Sequence, residues 1–478
     1  VQHLQRRPHA ADHAAGGDAA AWSFLRQLDG SAGDDEVRFV GEGALPSAYA
    51  VTDLAAASVA AAALAAARLA DPSGATSRSG PVVVDRRLAS LWFTASARPL
   101  GWAPPSPWDD LAGDYRCADG WVRLHTNASR HRAAALAALG AAPAREDVAR
   151  EVERWRGDEL EAAVVEAGGC AAAMRSAGAW AEHPQGRAVA AEHVVDRTTH
   201  ESERPRAHPR DADRTRPMSG VRVLDLTRVL AGPVATRFLA GLGADVLRID
   251  PPGWDEPGVL TETTLGKRCA HLDLRATDDL ATLRRLLRQA DVLVHGYRPG
   301  ALERLGLGDE ERRALAPGLV DVRLDAYGWT GPWAGRRGFD SLVQMSAGIA
   351  DTGRVQRGAD RPVPLPVQAL DHATGHLLAA AAIDGWARRL RTGEGTSART
   401  SLARVAAVLT AGPGGSFDDA VAPAGPADES DRTEASTWGP LRRLAPPCAI
   451  PDVELRHDLP AGHLGREPHP LRWYDDRS

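Results

Sequence analysis

The sequence predicts an α/β protein: a Rossmann-like, mostly parallel sheet in its second half and a smaller α/β domain before it. Three observations carry this. After residue 217, short β-branched runs ("GVRVLDL", "DVLRID", "ADVLVHGY", "LVDVRLDAYG") alternate with helical segments. A chain of 478 residues exceeds what one core holds, so it divides into domains. The polar run "ESERPRAHPRDADRTRP", residues 201–217, has no apolar periodicity and reads as the linker between the halves.

The elements follow in order. Residues 1–43 form an N-terminal segment, partly disordered, whose start lacks the apolar core of a secretory signal. Residues 44–93 hold an alanine-rich helix opened by Asp53. Residues 94–200 make the small α/β domain: "DYRCADGWVRLHTN" gives strand, glycine turn and strand, and helices follow from about residue 130. Residues 218–410 form the Rossmann-like domain. In "TRVLAGP" the turn ends with Pro233 in the first turn of a helix, a position that needs no backbone N–H. Ligands of such sheets lie beyond the C-terminal strand ends, so the loops at 227–232, 251–268, 296–304 and 325–340 are the ones to watch. Residues 411–478 read as a flexible segment, loosest at 411–437, and a C-terminal extension.

The chain also repeats itself. Residues 44–91 parallel 364–407: an apolar lead, an aspartate (Asp53, Asp371), an alanine-rich helix, a glycine-bearing loop and a leucine-containing helix. An aspartate there reads first as an N-cap, its carboxylate accepting from free backbone N–H groups. The same helix end favours an ionised carboxylate, which a carboxylate nucleophile requires.

Several function classes are excluded. A formal net charge of -6 implies no nucleic-acid partner. No apolar run is expected to reach membrane-spanning length. Four scattered cysteines without a C-x-x-C pair point to a reducing, cytoplasmic setting and to no metal centre. His125 and His131 lack metal-ligand spacing and read as structural. No G-x-G-x-x-G follows the first strand, against a dinucleotide enzyme.

Six blocks appear in order over residues 218–402: "GVRVLDLTRVLAGPVATRFLAGLGADVLRID", "GKRCAHLDL", "VLVHGYRPGALERLGL", "AYGWTGPWAGRRGFDSLVQMSAG", "LDHATG" and "RTGEG". Together they resemble the family III CoA-transferases (the CaiB/BaiF family), which include formyl-CoA transferase, carnitine CoA-transferase and the α-methylacyl-CoA racemases. "GDYRCADGWVRLHTN" and "GGCAAAMRSAGAWAEHPQG" resemble the family's small domain, here preceding the CoA-binding half, as in a rearranged tandem fusion.

The resemblance implies an enzyme that moves CoA between an acyl-CoA and a small carboxylic acid. CoA would be its substrate, with no resident cofactor. It implies Asp371 as nucleophile, passing through a mixed anhydride and an aspartyl-CoA thioester, with Asp53 only a cap. It implies CoA contacts from Arg228, Leu230, Ala231, Lys267, Arg268, Tyr297, Arg298 and Arg304, and an interlocked homodimer. Some positions depart from the family pattern. Gly296 stands where many members have Asn, and Leu230 where formyl-CoA transferase has a polar residue. Phe339 stands where the racemases carry a catalytic His, and Phe cannot transfer a proton. The family's glycine-rich flap has no clear match in "GPGGS" (412–416) or "WAPPSPWDDLAG" (102–113). An acyl-CoA racemase or isomerase, and a non-catalytic CoA-binding protein, are the alternatives.

Overall fold

The structure, a computed structural model, describes residues 18–71, 79–202 and 215–473. Its centre is a seven-stranded sheet in the spatial order Lys267–His271, Asp245–Asp250, Arg222–Leu226, Val292–His295, Val320–Asp325, Gly395–Ser401, Asp196–His200. The first six strands are parallel and the last is antiparallel. Every residue of Val292–His295 is buried, as in a strand covered on both faces. The strand order reverses between Arg222–Leu226 and its neighbour Val292–His295, and a crevice opens there at their C-terminal ends.

On one face of the sheet the helix Ala369–Thr392 packs against Ala231–Gly241 and Val51–Ala70 within the largest apolar core. Gly375 makes the first contact close: a Cβ there would stand 2.5 Å from the Ala231 carbonyl oxygen. The other face is covered by Thr277–Gln289, together with Leu471 and Trp473 from the end of the chain. A separate core supports the three-stranded antiparallel sheet Gly113–Cys117, Gly120–Leu124, Ala171–Ala173 and its helices Ser129–Leu139, Arg145–Val152 and Gly157–Glu166.

The structure corrects several expectations. Residues 44–93 are more than a helical repeat. Val51–Ala70 lies between two paired parallel strands, Val37–Val40 and Val82–Asp85, and the helix Arg86–Thr94 follows at once. This helix–strand–helix order matches Ala369–Thr392, Gly395–Ser401 and Leu402–Ala411. By length and composition Val51–Ala70 could cross a membrane, contrary to the expectation; it is a core helix with all residues but Arg68 and Ala70 buried. The linker reading, 201–217, fails at its described C-terminal end, and the last residues given to the small domain belong to the large sheet. Residues 196–200 form the sheet's edge strand, and Arg216 is buried with its guanidinium 2.9 Å from Asp458; positions 203–214 lie outside the described residues. Residues 411–478 are not simply flexible. Glu429–Ser436 and Gly439–Leu444 pair as a hairpin that continues onto Ala97–Pro99, and Trp473 is fully buried. Of the 1–43 segment, residues 1–17 lie outside the described residues, while Asp18–Leu28 is a helix seated on Val51–Ala70.

One buried carboxylate ties distant parts together. Glu262 accepts from the Ser96 hydroxyl at 2.6 Å, the Ala97 N–H at 2.7 Å and Arg237 at 2.6 Å, and faces Arg443 at 3.7 Å. Burial acts to raise its pKa, but Arg443 and Arg237 prevail and hold it down at about 2.

Candidate active site

The crevice at the sheet reversal is a cleft of about 360 Å³. Its walls come from the loops after four strands, from the start of the Ala369–Thr392 helix, and from Arg130 and His131 of the small module.

Asp371 lines this cleft at 8 % exposure. It does not cap its helix: Gln368 holds the cap position, and no side chain caps there. Asp340 does that work from another element, its Oδ2 accepting the Asp371 N–H at 2.9 Å. Two carboxyl groups are thereby brought together in a buried place. Burial first, and Asp340 second, push the Asp371 carboxyl well above the usual range. Burial likewise raises Asp340 to about 6, opposed by the Gln344 amide and the Asp371 N–H. Asp53 is no cap either. Ala50 holds that position, and the Asp53 carboxylate is paired with Arg86 at 2.7 Å, both side chains largely buried.

Of the residues the resemblance assigned to CoA, Arg228, Ala231, Tyr297 and Arg298 line the cleft. The Arg228 guanidinium lies over the rings of Trp254 and Tyr297, at 5.0 and 5.5 Å. Val229, beside it, adopts φ 66°, strained for a β-branched residue, while its N–H donates to Glu256 at 2.9 Å. The other four are elsewhere. Leu230 is buried at the cap of Ala231–Gly241 and does not line the cleft. Lys267 is fully buried, its ammonium 3.0 Å from Asp225 and 3.0 Å from the Pro233 carbonyl; burial, against Asp225, lowers it to about 8. Arg268 grips both Asp245 oxygens at 2.8 and 2.9 Å and donates to the Arg472 carbonyl. These two cations close the sheet edge instead of facing a ligand. Arg304 is exposed outside the lining, and its charge is one reason the Arg298 pKa is lowered, after burial and Arg337.

Sequence reasoning missed Arg130, Trp254, Asp325, Arg336 and Arg337 in the lining, and assigned His131 a structural place. The "GRRGFD" block held part of the signal, since it follows a strand and carries two arginines beside Asp340. Arg336 is committed to Glu161 at 2.8 Å. Asp325 accepts the Gly328 N–H at 2.8 Å, and its Oδ2 is buried with no partner among the described residues. Burial lifts its pKa to about 7. Neither flap candidate lines the cleft. Gly414 pairs with Tyr49 and Gly415 bonds to Ala48, at the start of Val51–Ala70, while the 102–113 loop packs against Gly258 through Pro107. Among the described residues no group of His, Cys, Asp and Glu forms a metal cluster.

The arrangement provides a buried carboxyl at a helix start, cations on the strand-end loops and an aromatic wall. That suits attack by a carboxylate on a substrate carrying anionic groups.

Part of the chain is similar to known proteins. Residues 218–433 match the model of CoA-transferase family III. A probable fatty acyl-CoA transferase of Mycobacterium tuberculosis is 33% identical over 210 residues, covering 41% of this chain and 53% of that protein. Mouse succinyl-CoA:glutarate CoA-transferase is 35% identical over 198 residues, covering 39% of this chain and 45% of that protein. A solved CaiB/BaiF family protein from Brucella suis is 28% identical, covering 47% of this chain and 65% of that one, with a TM-score of 0.38. The chain thus spans about half the length of the curated relatives it matches.

Proposed function

We propose that the chain, whose residues 218–433 match the model of CoA-transferase family III, moves CoA from an acyl-CoA donor to a carboxylic acid acceptor, with Asp371 as nucleophile. The observation that carries the reading is Asp371 itself: buried, lining the cleft, and without a structural partner for its carboxylate among the hydrogen bonds and ion pairs described.

In the proposed sequence an Asp371 oxygen attacks the thioester carbonyl. The C–S bond breaks, and a mixed anhydride forms with CoA thiolate. The thiolate attacks the Asp371 carbonyl carbon, releasing the donor carboxylate and leaving an aspartyl-CoA thioester. The acceptor carboxylate then attacks that thioester, expelling the thiolate and giving a second anhydride. Finally the thiolate attacks the acceptor's carbonyl, yielding the new acyl-CoA and restoring Asp371. Attack requires an ionised carboxylate. Burial makes that anion scarcer, and also poorly solvated once formed. Arg228 and Arg298, with the aromatic rings of Trp254 and Tyr297, line the cleft and would receive the phosphates and adenine of CoA in this reading. Phe339 packs on the His125 ring at 3.7 Å between centroids and offers no proton, which weighs against a racemase.

Hydroxylamine trapping tests the reading. Incubation with a panel of acyl-CoAs should yield a hydroxamate at Asp371, located by peptide mass spectrometry. Asp371→Asn should cut exchange by at least about 10³-fold while CoA still binds. Unmodified Asp371 with every donor, or full exchange in the variant, would remove Asp371 from the mechanism. A homodimer remains part of this proposal: light scattering should return twice the 50.6 kDa chain mass.

A further inference from the structure

Glu256 does not line the cleft, yet three donors converge on its carboxylate. The Val229 N–H reaches Oε2 at 2.9 Å, and the Trp254 indole N–H reaches the same oxygen at 3.1 Å. The Arg248 guanidinium takes Oε1. The Glu256 side chain is 8 % exposed and that of Arg248 fully buried, so this ion pair is closed off from water. Asp250 also holds Arg248, at 2.8 and 3.2 Å, so the buried cation does not rest on Glu256 alone.

What Glu256 holds faces the cleft, for Val229 and Trp254 both line it. Among the described residues, Val229 and Asp452 are the non-glycine residues with positive φ, and a β-branched side chain suits that region least. Such a backbone costs free energy and persists only where its neighbours over-determine it. Val229 stands between Arg228 and Leu230, the cap of Ala231–Gly241, where no side chain covers the free N–H groups. Its turn therefore sets the course of both the arginine and the open helix start. Trp254 sets the facing wall. Its ring lies beneath the Arg228 guanidinium at 5.0 Å and beneath that of Arg130, from the small module, at 5.7 Å. The Arg228 Nη2 donates to the Tyr297 hydroxyl at 3.3 Å.

We propose that Glu256 is a positioning residue of the CoA site: by taking the Val229 and Trp254 N–H groups it fixes the strained turn and the indole, and so presents Arg228 to an anionic group of the ligand. The identity of that ligand rests on the transferase reading. The carboxylate is essential to the role. A glutamine offers one acceptor oxygen and an NH2 group, so it cannot receive donors on both sides. One of the three donors would then face another donor. Val229 is the one with strain to release.

Calorimetry with free CoA and the full chain tests this. Glu256→Gln should weaken CoA binding at least about tenfold, the order of the strain released. Adding Val229→Gly should restore most of that loss, because glycine holds φ near 66° without strain. A carboxylate that served only the fold would leave the double variant as weak as Glu256→Gln. Equal binding by the wild type and Glu256→Gln overturns the proposal, and so does the absence of rescue. A ligand-free arm follows hydrogen exchange. The Val229 amide should exchange faster in Glu256→Gln while the amides of Arg222–Leu226 stay protected; an unchanged Val229 amide also overturns the proposal. Should Glu256→Gln not fold, Trp254→Phe carries the test. It removes only the N–H that Glu256 holds, and should weaken CoA binding severalfold; unchanged binding there is an overturning result. An unmodified protein that binds no CoA sinks the transferase reading instead, and the Val229 exchange then decides alone whether Glu256 holds the turn.

Discussion

Asp371 and Asp340 share one small volume, and each changes what the other can do. The Asp340 carboxylate orients the helix start through the Asp371 N–H and also opposes ionisation of the Asp371 carboxyl. Asp340→Asn keeps an oxygen for that N–H and removes the opposing charge. The rising acid limb of the pH–kcat/KM profile should then move down by about one pH unit. The same pair bears on stability. A carboxyl whose folded pKa is raised, as Asp340 is from 3.8 to about 6, favours the fold below its unfolded value. That contribution is lost as pH rises through about 6. Wild-type Tm should therefore fall more than that of Asp340→Asn between pH 5 and pH 8, as calorimetric scans would show. Asp371 drew attention through "LDHATG", and the structure sets it in the first turn of Ala369–Thr392, lining the cleft. Asp340 drew none, because the contact that gives it a role spans 31 positions of sequence. Lys267 and Arg268 were misread for the reverse reason. A basic pair after a glycine reads as a ligand contact until the structure shows Asp225 and Asp245 opposite it.

At the scale of elements, the parallel strands were legible because central strands are runs of β-branched residues. The helix repeat was legible from its alanines. The short strands VRFV and VVVD were not, since four residues carry too little pattern to separate strand from loop. The alanines also explain why helices can lie so close. Gly375 sits where the helix bearing Asp371 meets Ala231–Gly241, and a Cβ would also stand 2.7 Å from Val234. Gly375→Ala should cost about 1–3 kcal/mol by urea denaturation. It should also lower kcat, because the helix must shift and carries Asp371, the proposed nucleophile, with it. Unchanged stability with unchanged kcat would show that the contact is slack.

Across the whole molecule, the two halves are joined by more than the covalent chain. Glu262 binds Ser96 and Arg237, while Asp196–His200 supplies the seventh strand by pairing with Gly395–Ser401. The domain boundaries drawn from composition missed this, because an edge strand such as "DRTTH" is polar and carries no apolar signature. That borrowed strand has a genetic consequence. A gene cut into two open reading frames, one encoding residues 1–202 and the other 215–478, should still yield a working protein when both are co-expressed. The smaller polypeptide would dock by completing its partner's sheet, in the manner of a split reporter, and affinity purification of either piece should recover the other.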